Sequence, residues 1–253
     1  METISILGCG WLGFTLAKDF KKNYKVNVSI RTKEKEEIMI NEGFTPYLLN
    51  EEFTKNLDLL LDTTYLFINF PPSKFKDYIG FLEKIYTNPK IKKAKKIIFI
   101  SSTSIYPKGE GVFNENSKLY NSSSPLVYEA EKYIKDKTDV ILRASGLMGY
   151  NRIAGKYFAG KQLDSEDLKV NYVHKDDVIE ATKFVIKNNI NGVFNLCSKE
   201  HPTRKEIYLH NALKYNFKEP IFKNKKVYKN RIIDGSLIEN FGFRYKYPNP
   251  FYY

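Results

Sequence analysis

The first thirteen residues constrain this chain more strongly than any other stretch. An apolar segment at residues 3–7 is followed directly by glycines at positions 8, 10 and 13, in the spacing GxGxxG. Beyond them, Leu12, Leu16 and Phe20 recur every fourth residue, which is typical of one face of a helix. A strand, a glycine-rich turn and a helix in this order predict a dinucleotide-binding site, whereas an ordinary βα turn is the alternative.

Each glycine has its own task in this interpretation. We expect Gly8 to allow the tight turn, Gly10 to let the backbone approach a diphosphate, and Gly13 to let the helix pack close to the strand. The start of the helix then offers N–H groups and the positive end of a dipole to the phosphates. Trp11 and Leu12 complete the predicted cofactor-binding stretch, with Trp11 lying either against the cofactor or in the interior as a structural residue.

The end of the second predicted strand indicates which dinucleotide is bound. Arg31 follows Gly8 by 23 residues, close to the roughly 20 expected of the residue that reads the adenosine ribose. An acid at this place bonds a ribose 2′-hydroxyl, whereas an arginine accommodates a 2′-phosphate. We therefore predict NADP rather than NAD as the cofactor, with Arg31 and Thr32 in contact with it. The alternative is that Arg31 only caps the next helix in solvent.

Strands and helices alternate through most of the chain. Apolar runs at 65–70, 97–100 and 140–143 predict parallel strands that are buried on both faces. The alternation predicts the α/β class with a doubly wound parallel sheet, the Rossmann fold. Phe70 and Pro71 end the first of these runs, and we expect both to face the cofactor because a loop over the cleft begins there.

The apolar pattern weakens after residue 146, which indicates a second part of the chain. We predict a dinucleotide-binding Rossmann domain formed by residues 1–148 and 170–197. Residues 149–169 and 198–253 are predicted to form a small C-terminal substrate lobe.

Further motifs follow the fifth predicted strand in a recognisable order. They are Ser-Ser-x-Ser-x-Tyr at 101–106, Asn-Glu-Asn-Ser at 114–117, Arg143 followed by Gly-Leu-Met-Gly at 146–149, and Tyr-Val-His-Lys-Asp-Asp at 172–177. Together with the early GxGxxG, these motifs resemble those of the extended short-chain dehydrogenases/reductases, which include nucleotide-sugar epimerases, dehydratases and reductases. The resemblance covers nearly the whole chain and implies hydride transfer between a nicotinamide cofactor and a carbonyl or carbinol carbon.

The resemblance also implies catalytic residues. Ser102, four residues before Tyr106, matches the family's Ser or Thr that hydrogen-bonds the reacting oxygen, and Thr103 beside it is a candidate for substrate contact. The family moves a proton with Tyr-x-x-x-Lys, in which the lysine lowers the pKa of the phenol. Tyr128 and Lys132 have that spacing and share one helix face.

The position of this pair leaves a second interpretation open. Tyr128 precedes Arg143 by 15 residues, fewer than the family usually has. If Glu131 is instead matched to the acidic residue of the family's helix, the places of the tyrosine and the lysine fall near Ser123 and Val127. An atypical branch of the family that lacks Tyr-x-x-x-Lys has this pattern, so the resemblance to that branch implies a degenerate acid/base site.

The net charge and its distribution along the sequence limit the kinds of ligand that we expect. The net charge of +12 favours anionic ligands, but the lysines are scattered and form no basic helix with interleaved aromatics. We therefore predict a small, anionic substrate and no specific nucleic acid. The resemblance implies that Arg152 lies where substrate phosphates bind.

The remaining composition argues against several classes of protein. Two distant cysteines and three unclustered histidines predict neither a disulfide framework nor a metal site. No apolar stretch approaches the roughly 18 residues of a membrane span, and Met1 and Glu2 lead straight into the first strand. We expect a soluble, cytoplasmic protein without a membrane partner; its oligomeric state stays open.

Two functions are consistent with these observations. The first is an NADP-dependent oxidoreductase or epimerase acting on a carbonyl or carbinol of a sugar-like or phosphorylated small molecule. The second is a non-catalytic NADP-binding sensor or partner-binding protein with a degenerate active site. A nucleic-acid-associated regulator on the same fold is a third, minor alternative.

Overall fold

The structure is a computed structural model that describes residues 1–223 and 229–253. The strands are β1 (Thr3–Leu7), β2 (Lys25–Ile30), β3 (Thr45–Leu48), β4 (Tyr65–Ile68), β5 (Lys96–Ser102), β6 (Gly111–Phe113), β7 (Val140–Ala144), β8 (Gly146–Met148), β9 (Gln162–Leu163), β10 (Tyr172–His174), β11 (Gly192–Leu196), β12 (Ile221–Phe222) and β13 (Arg231–Ile233). The helices are α1 (Trp11–Phe20), α2 (Glu36–Asn41), α3 (Leu57–Leu61), α4 (Tyr78–Tyr86), α5 (Pro125–Ile134), α6 (Lys175–Lys187), α7 (Arg204–Lys214) and α8 (Leu237–Asn240). Short 3₁₀ helices lie at Lys33–Lys35, Pro72–Lys74, Pro89–Lys93, Thr103–Ile105, Lys135–Lys137, Lys156–Phe158 and Pro250–Tyr252.

A parallel sheet forms the centre of the fold. In the described part of the chain it has seven strands in the order β11-β7-β5-β4-β1-β2-β3. Ile4 of β1 pairs with Val26 of β2 on one side and with Tyr65 of β4 on the other. The strand order therefore reverses between β1 and β4, and ligands of such sheets bind beyond the carboxyl ends of the strands at that point. The predicted α/β class with a doubly wound parallel sheet is confirmed.

The chain forms two compact units, each of several segments. The first unit consists of Met1–Ser101, Ser124–Leu142 and Val185–Val193, and the second of Ser102–Ser123, Arg143–Phe184 and Phe194–Tyr253. The domain boundaries predicted from the sequence stay a prediction. Residues 224–228 of the predicted substrate lobe lie outside the described residues.

The core of the first unit is built from apolar side chains of both its strands and its helices. Its fully buried members include Leu7, Leu60, Leu66, Ile68, Leu82, Ile85 and Ile134. Burying one leucine or isoleucine side chain of this kind contributes about 1.5–3 kcal/mol. This core holds β1 and β4 in place, and with them the loops at their carboxyl ends. The five-residue helix α3, which the sequence analysis did not predict, contributes Leu57, Leu60 and Leu61 to this core.

The second unit is assembled from smaller pieces. Three two-stranded parallel pairs, β10 with β8, β12 with β9 and β13 with β6, lie in it. Helix α7 begins with a capping box: the Thr203 side chain accepts from the backbone N–H of Glu206, and Glu206 Oε2 accepts from Thr203 N at 2.7 Å. The Asp177 carboxylate accepts from the backbone N–H groups of Lys246 and Tyr247, at 2.7 and 3.2 Å. These bonds fasten the C-terminal segment to the start of α6.

Candidate functional site

A cavity of about 260 Å³ lies in the first unit, beyond the carboxyl ends of β1, β2, β3 and β4. Of the residues predicted to bind a cofactor, it brings together Gly8, Gly10, Arg31, Phe70 and Pro71. These five come from three separate loops, and the strand order of the sheet places the loops side by side. Their shared cavity lies where a parallel sheet of this topology binds its ligand.

The glycines of the first turn differ in what surrounds them. Gly8 has φ +96°, and a Cβ there would lie 2.4 Å from the carbonyl oxygen of Asn69. A Cβ on Gly13 would lie 2.5 Å from the carbonyl oxygen of Gly8. Packing within the protein therefore requires both of these glycines. Gly10 has φ −91°, and a Cβ there would meet nothing within 4 Å. The open space before its backbone fits the close approach of a ligand.

Helix α1 begins directly after Gly10. Its first intrahelical hydrogen bond runs from Phe14 N to Gly10 O at 2.8 Å, so the N–H groups before Phe14 have no acceptor within the helix. The positive end of the helix dipole therefore lies beside the open face of Gly10. Leu12 and Gly13 are buried and do not line the cavity. Trp11 is half-buried and does not line it either.

Ser29 holds the shape of this turn. Its Oγ accepts from Gly8 N at 2.8 Å, and its carbonyl oxygen accepts from Cys9 N at 3.2 Å. The sequence analysis did not identify this residue, although a hydroxyl stands out among the apolar residues at the end of β2. Burial raises the pKa of the Cys9 thiol to about 12, so Cys9 is not a nucleophile at neutral pH although it lines the cavity.

The outer end of the cavity is positively charged. Arg31, Lys35 and Lys74 line it, against one carboxylate, that of Glu51. The Arg31 guanidinium lies 5.8 Å from the centroid of the Phe75 ring, within the range of a cation–π contact. A second cavity of about 520 Å³ adjoins this end, and Thr32 lines it rather than the first cavity.

Tyr128 and Lys132 lie one helical turn apart on α5, also in the first unit. Tyr128 is half-buried and Lys132 is exposed. In the described chain no hydrogen bond joins the two side chains, and neither lines the cavity. Between them, Glu131 is only 5% exposed and accepts a hydrogen bond from the Ser101 hydroxyl. The helix thus turns its acid, and not its lysine, toward the interior.

Ser102 and Thr103 follow each other at the end of β5 and belong to the second unit. Ser102 is half-buried, and its Oγ accepts from Ser104 N at 3.1 Å. Its own hydroxyl proton is then left to donate to another acceptor. Thr103 is buried, with its Oγ1 3.3 Å from the Ser145 Oγ. The Thr103 hydroxyl is therefore used within the unit.

Arg152 lies on a tight hairpin of the second unit. Its backbone N–H and C=O pair with those of Gly149 at 3.0 Å each. At the tip, Tyr150 has φ +55° and donates to the Asp176 carboxylate at 2.9 Å. The exposed Arg152 side chain borders a cavity of about 10 Å³ within this unit. That volume suffices for one water molecule and not for a substrate.

His174 of β10 is buried and structural. Its Nδ1 accepts a hydrogen bond from Asp176 N at 3.2 Å. The centroids of the His174 and Tyr247 rings lie 3.9 Å apart. Burial lowers the pKa of His174, so the ring is neutral at pH 7. Among residues 1–223 and 229–253 no group of His, Cys, Asp and Glu is arranged to hold a metal ion.

No helix in the described residues is both long enough and apolar enough to span a membrane.

Comparison with known proteins finds relatives both by sequence and by structure. No family model matches the sequence. The chain is 32% identical to protein YeeZ of Escherichia coli K12 over 268 residues, covering 99% of this chain and 98% of that protein.

Two solved structures illustrate the structural similarity. One is a UDP-glucose 4-epimerase from Stenotrophomonas maltophila with bound NAD and formylated UDP-arabinopyranose, at a TM-score of 0.80 and 11% identity over 99% of this chain and 95% of that one. The other is a UDP-glucose 4-epimerase from Thermotoga maritima with UDP-glucose, at a TM-score of 0.77 and 17% identity over 96% and 94%. At these identities the similarity establishes the fold.

Proposed function

The chain belongs to the NAD-dependent epimerase/dehydratase-like family of extended short-chain dehydrogenases/reductases, and from this premise we propose that it is an NADP-dependent oxidoreductase or epimerase. Its substrate in this proposal is a sugar-like or phosphorylated small molecule that reacts at a carbonyl or carbinol carbon. The UDP-sugars named for the two epimerases of the same fold support this substrate class.

The observation that carries the proposal is the open face of Gly10. Within the described residues no atom lies within 4 Å of the position of a Cβ at Gly10, so a side chain there would project into the space beside the start of α1. We assign this space to the cofactor diphosphate, because backbone N–H groups and the helix dipole meet at it. The adenosine half then occupies the cavity of about 260 Å³, and Phe70 and Pro71 border it. When bound, the cofactor supplies or accepts the hydride.

Arg31 is the residue that we assign to cofactor choice. Its guanidinium lies at the outer end of the cavity. Among the described lining residues the one carboxylate is that of Glu51, which accepts hydrogen bonds from Lys76 N and Asp77 N. A 2′-phosphate would therefore find a cation there, whereas the free 2′-hydroxyl of NAD would find no acid at the end of β2. Thr32, which lines the adjoining cavity, is assigned a contact with the same end of the cofactor.

We assign to Ser102 the hydrogen bond to the reacting oxygen of the substrate. Because its Oγ already accepts from Ser104 N, its hydroxyl proton is directed elsewhere and can polarise a carbonyl. Tyr128 is assigned the proton transfer, with Lys132 as the cation one turn away on the same helix face. Arg152 and Thr103 are assigned to the anionic substrate; the exposure of Arg152 suits that task better than the buried hydroxyl of Thr103 does.

A second candidate function is a non-catalytic NADP-binding protein. The exposure of Lys132, and its lack of a hydrogen bond to Tyr128 in the described chain, favour this candidate. Both functions keep the cofactor cavity, so binding of the dinucleotide alone does not separate them.

Turnover separates the two. Oxidation of NADPH should be followed with a panel of carbonyl and nucleotide-sugar substrates for the wild type, Ser102→Ala, Tyr128→Phe and the control Tyr133→Phe, a second half-buried tyrosine of α5. We expect Ser102→Ala and Tyr128→Phe to lower the turnover at least about tenfold, because each removes a polar group from the transition state. The control should keep the wild-type rate.

Each other result identifies an error. Full activity of Tyr128→Phe would refute its assignment and leave the enzyme proposal intact. Saturable binding of NADPH by the wild type with no turnover across the panel would support the non-catalytic function. If the wild type bound neither NADPH nor NADH, both functions would be wrong.

A further inference from the structure

Two cavities of the first unit meet at one group of side chains. The inner cavity, about 260 Å³, and the outer cavity, about 520 Å³, share Arg31, Asn50, Glu51, Lys74 and Phe75. Two of these five are cations, and they come from different loops: Arg31 from the loop after β2 and Lys74 from the loop after β4. Positive charge therefore converges on the junction from two directions.

Hydrogen bonds tie the three loops around this junction together. Asn50, after β3, donates from Nδ2 to the carbonyl oxygen of Arg31 at 3.1 Å. Its neighbour Glu51 accepts from Lys76 N and Asp77 N at 2.8–3.1 Å. These backbone bonds lower the pKa of Glu51, so its carboxylate is ionised at neutral pH and keeps the loop after β4 in place.

The backbone before Lys74 is restricted as well. Lys74 ends a short 3₁₀ helix that starts at Pro72, and its N–H donates to the carbonyl oxygen of Pro71 at 3.1 Å. Two successive prolines fix their own φ angles, so the loop has few alternative conformations. The Lys74 ammonium is thus carried on an ordered backbone, although its side chain is exposed.

We propose that Lys74 is a second specificity residue for NADP, and that its ammonium binds the 2′-phosphate together with Arg31 where the two cavities meet. The proposal rests on the proposed function, which puts the adenosine in the inner cavity. A phosphate on its ribose then points to the junction and into the outer cavity.

The other lysines nearby do not meet this requirement. Lys35 lines only the inner cavity, and Lys76 lines only the outer one. Lys74 lines both, so it is the lysine that can reach a group at their boundary. Glu51 does not neutralise the junction fully, because it is one carboxylate against the two cations Arg31 and Lys74. Arg31 supplies a planar donor and Lys74 a compact charge, which is a suitable pair for a phosphate monoester.

The test compares two adenosine fragments that differ by this phosphate. The affinities of 2′,5′-ADP and 5′-ADP should be measured by calorimetry for the wild type, Lys74→Gln, Arg31→Gln and the matched control Lys76→Gln. We expect Lys74→Gln to lower the affinity for 2′,5′-ADP about tenfold, which corresponds to the loss of one charge-assisted hydrogen bond. The affinity for 5′-ADP should change less than about twofold, and Lys76→Gln should change both affinities equally little.

The outcomes separate this inference from the proposed function. If the wild type binds 5′-ADP and NADH but 2′,5′-ADP no more tightly than 5′-ADP, the phosphate site is refuted while dinucleotide binding stands. If Lys74→Gln weakens both fragments equally, or if Lys76→Gln has the larger effect, Lys74 is not the specificity residue. If no adenosine fragment and neither dinucleotide binds the wild type, the proposed function itself fails.

Discussion

At the scale of single residues, the three glycines of the first turn illustrate how a ligand site is distinguished from protein packing. Gly8 and Gly13 face backbone atoms at less than 3 Å from the position of a Cβ, whereas Gly10 faces open space. The spacing GxGxxG in the sequence does not distinguish these three glycines from one another. The atoms around them do: the fold requires a glycine at positions 8 and 13, whereas at position 10 it leaves space for a side chain.

This difference gives a prediction for two substitutions. Gly10→Ala should leave the free energy of unfolding within about 0.5 kcal/mol of the wild type, because the methyl group meets no protein atom. The substitution should lower the affinity for NADPH by at least about tenfold, since the methyl group occupies the space assigned to the diphosphate. Gly8→Ala should destabilise the fold by more than about 1 kcal/mol, because φ is +96° and a carbonyl oxygen blocks the Cβ.

Denaturant unfolding and fluorescence titration with NADPH measure the two effects separately. Unchanged NADPH affinity in Gly10→Ala would mean that no ligand approaches this backbone. The dinucleotide assignment of the first turn would then be wrong.

At the scale of elements, the ends of helices explain how short segments stay in place around the site. Helix α1 has no side-chain cap because Gly10, which has no side chain, precedes it. Helix α7 has the opposite arrangement: Thr203 and Glu206 satisfy its first turn reciprocally. At α7 the side chains of the protein satisfy the first N–H groups, whereas at α1 no side chain does so, and an anionic ligand can bind there.

The cap of α7 can be tested against a matched position. Thr203→Ala should lower the free energy of unfolding by about 1 kcal/mol, because it removes the acceptor for Glu206 N. Ser236→Ala, at the start of α8, should change it by less than about 0.5 kcal/mol, since that side chain makes no capping hydrogen bond. Chemical denaturation of both variants gives the comparison. Equal losses would show that the capping box does not stabilise α7 as described.

At the scale of the whole molecule, the dependence of stability on pH should carry the signature of one buried acid. Burial raises the pKa of Asp177 from its usual 3.8 to about 6, against the effect of the hydrogen bonds from Lys246 N and Tyr247 N. Between pH 4 and 6 the folded protein therefore holds a proton that the unfolded chain has lost. Stability contributed by this group is present below pH 4 and is lost as the pH rises through 6, by about 3 kcal/mol.

Asp177→Asn removes that titration. The difference in unfolding free energy between wild type and variant should change with pH across this window and stay constant above pH 7. Urea unfolding at half-unit steps from pH 4 to 8 measures it, and taking the difference cancels the contribution of all other groups. A difference that does not vary with pH would mean that Asp177 titrates normally in the folded protein.

The fold was largely predictable because its pattern is local. An apolar strand before a glycine-rich turn and alternating runs of strand and helix are both recognised over a few residues, and both are present where expected. The short helix α3 was not predicted, since five residues provide too little periodicity, and its leucines are fixed by the core they join. The boundaries of a substrate lobe cannot be read from local periodicity.

The candidate site likewise contains some residues that local sequence patterns predict and others that they do not. By itself the sequence determined the turn at residues 8–13 and the cation at Arg31, because strand, turn and end of β2 are consecutive in the chain. Only the tertiary structure brought Ser29 under the turn, joined the loops through Asn50 and Glu51, and placed Lys74 in the lining of the same cavities as Arg31. Those residues are distant in sequence, and their proximity follows from the strand order of the sheet, which no local pattern contains.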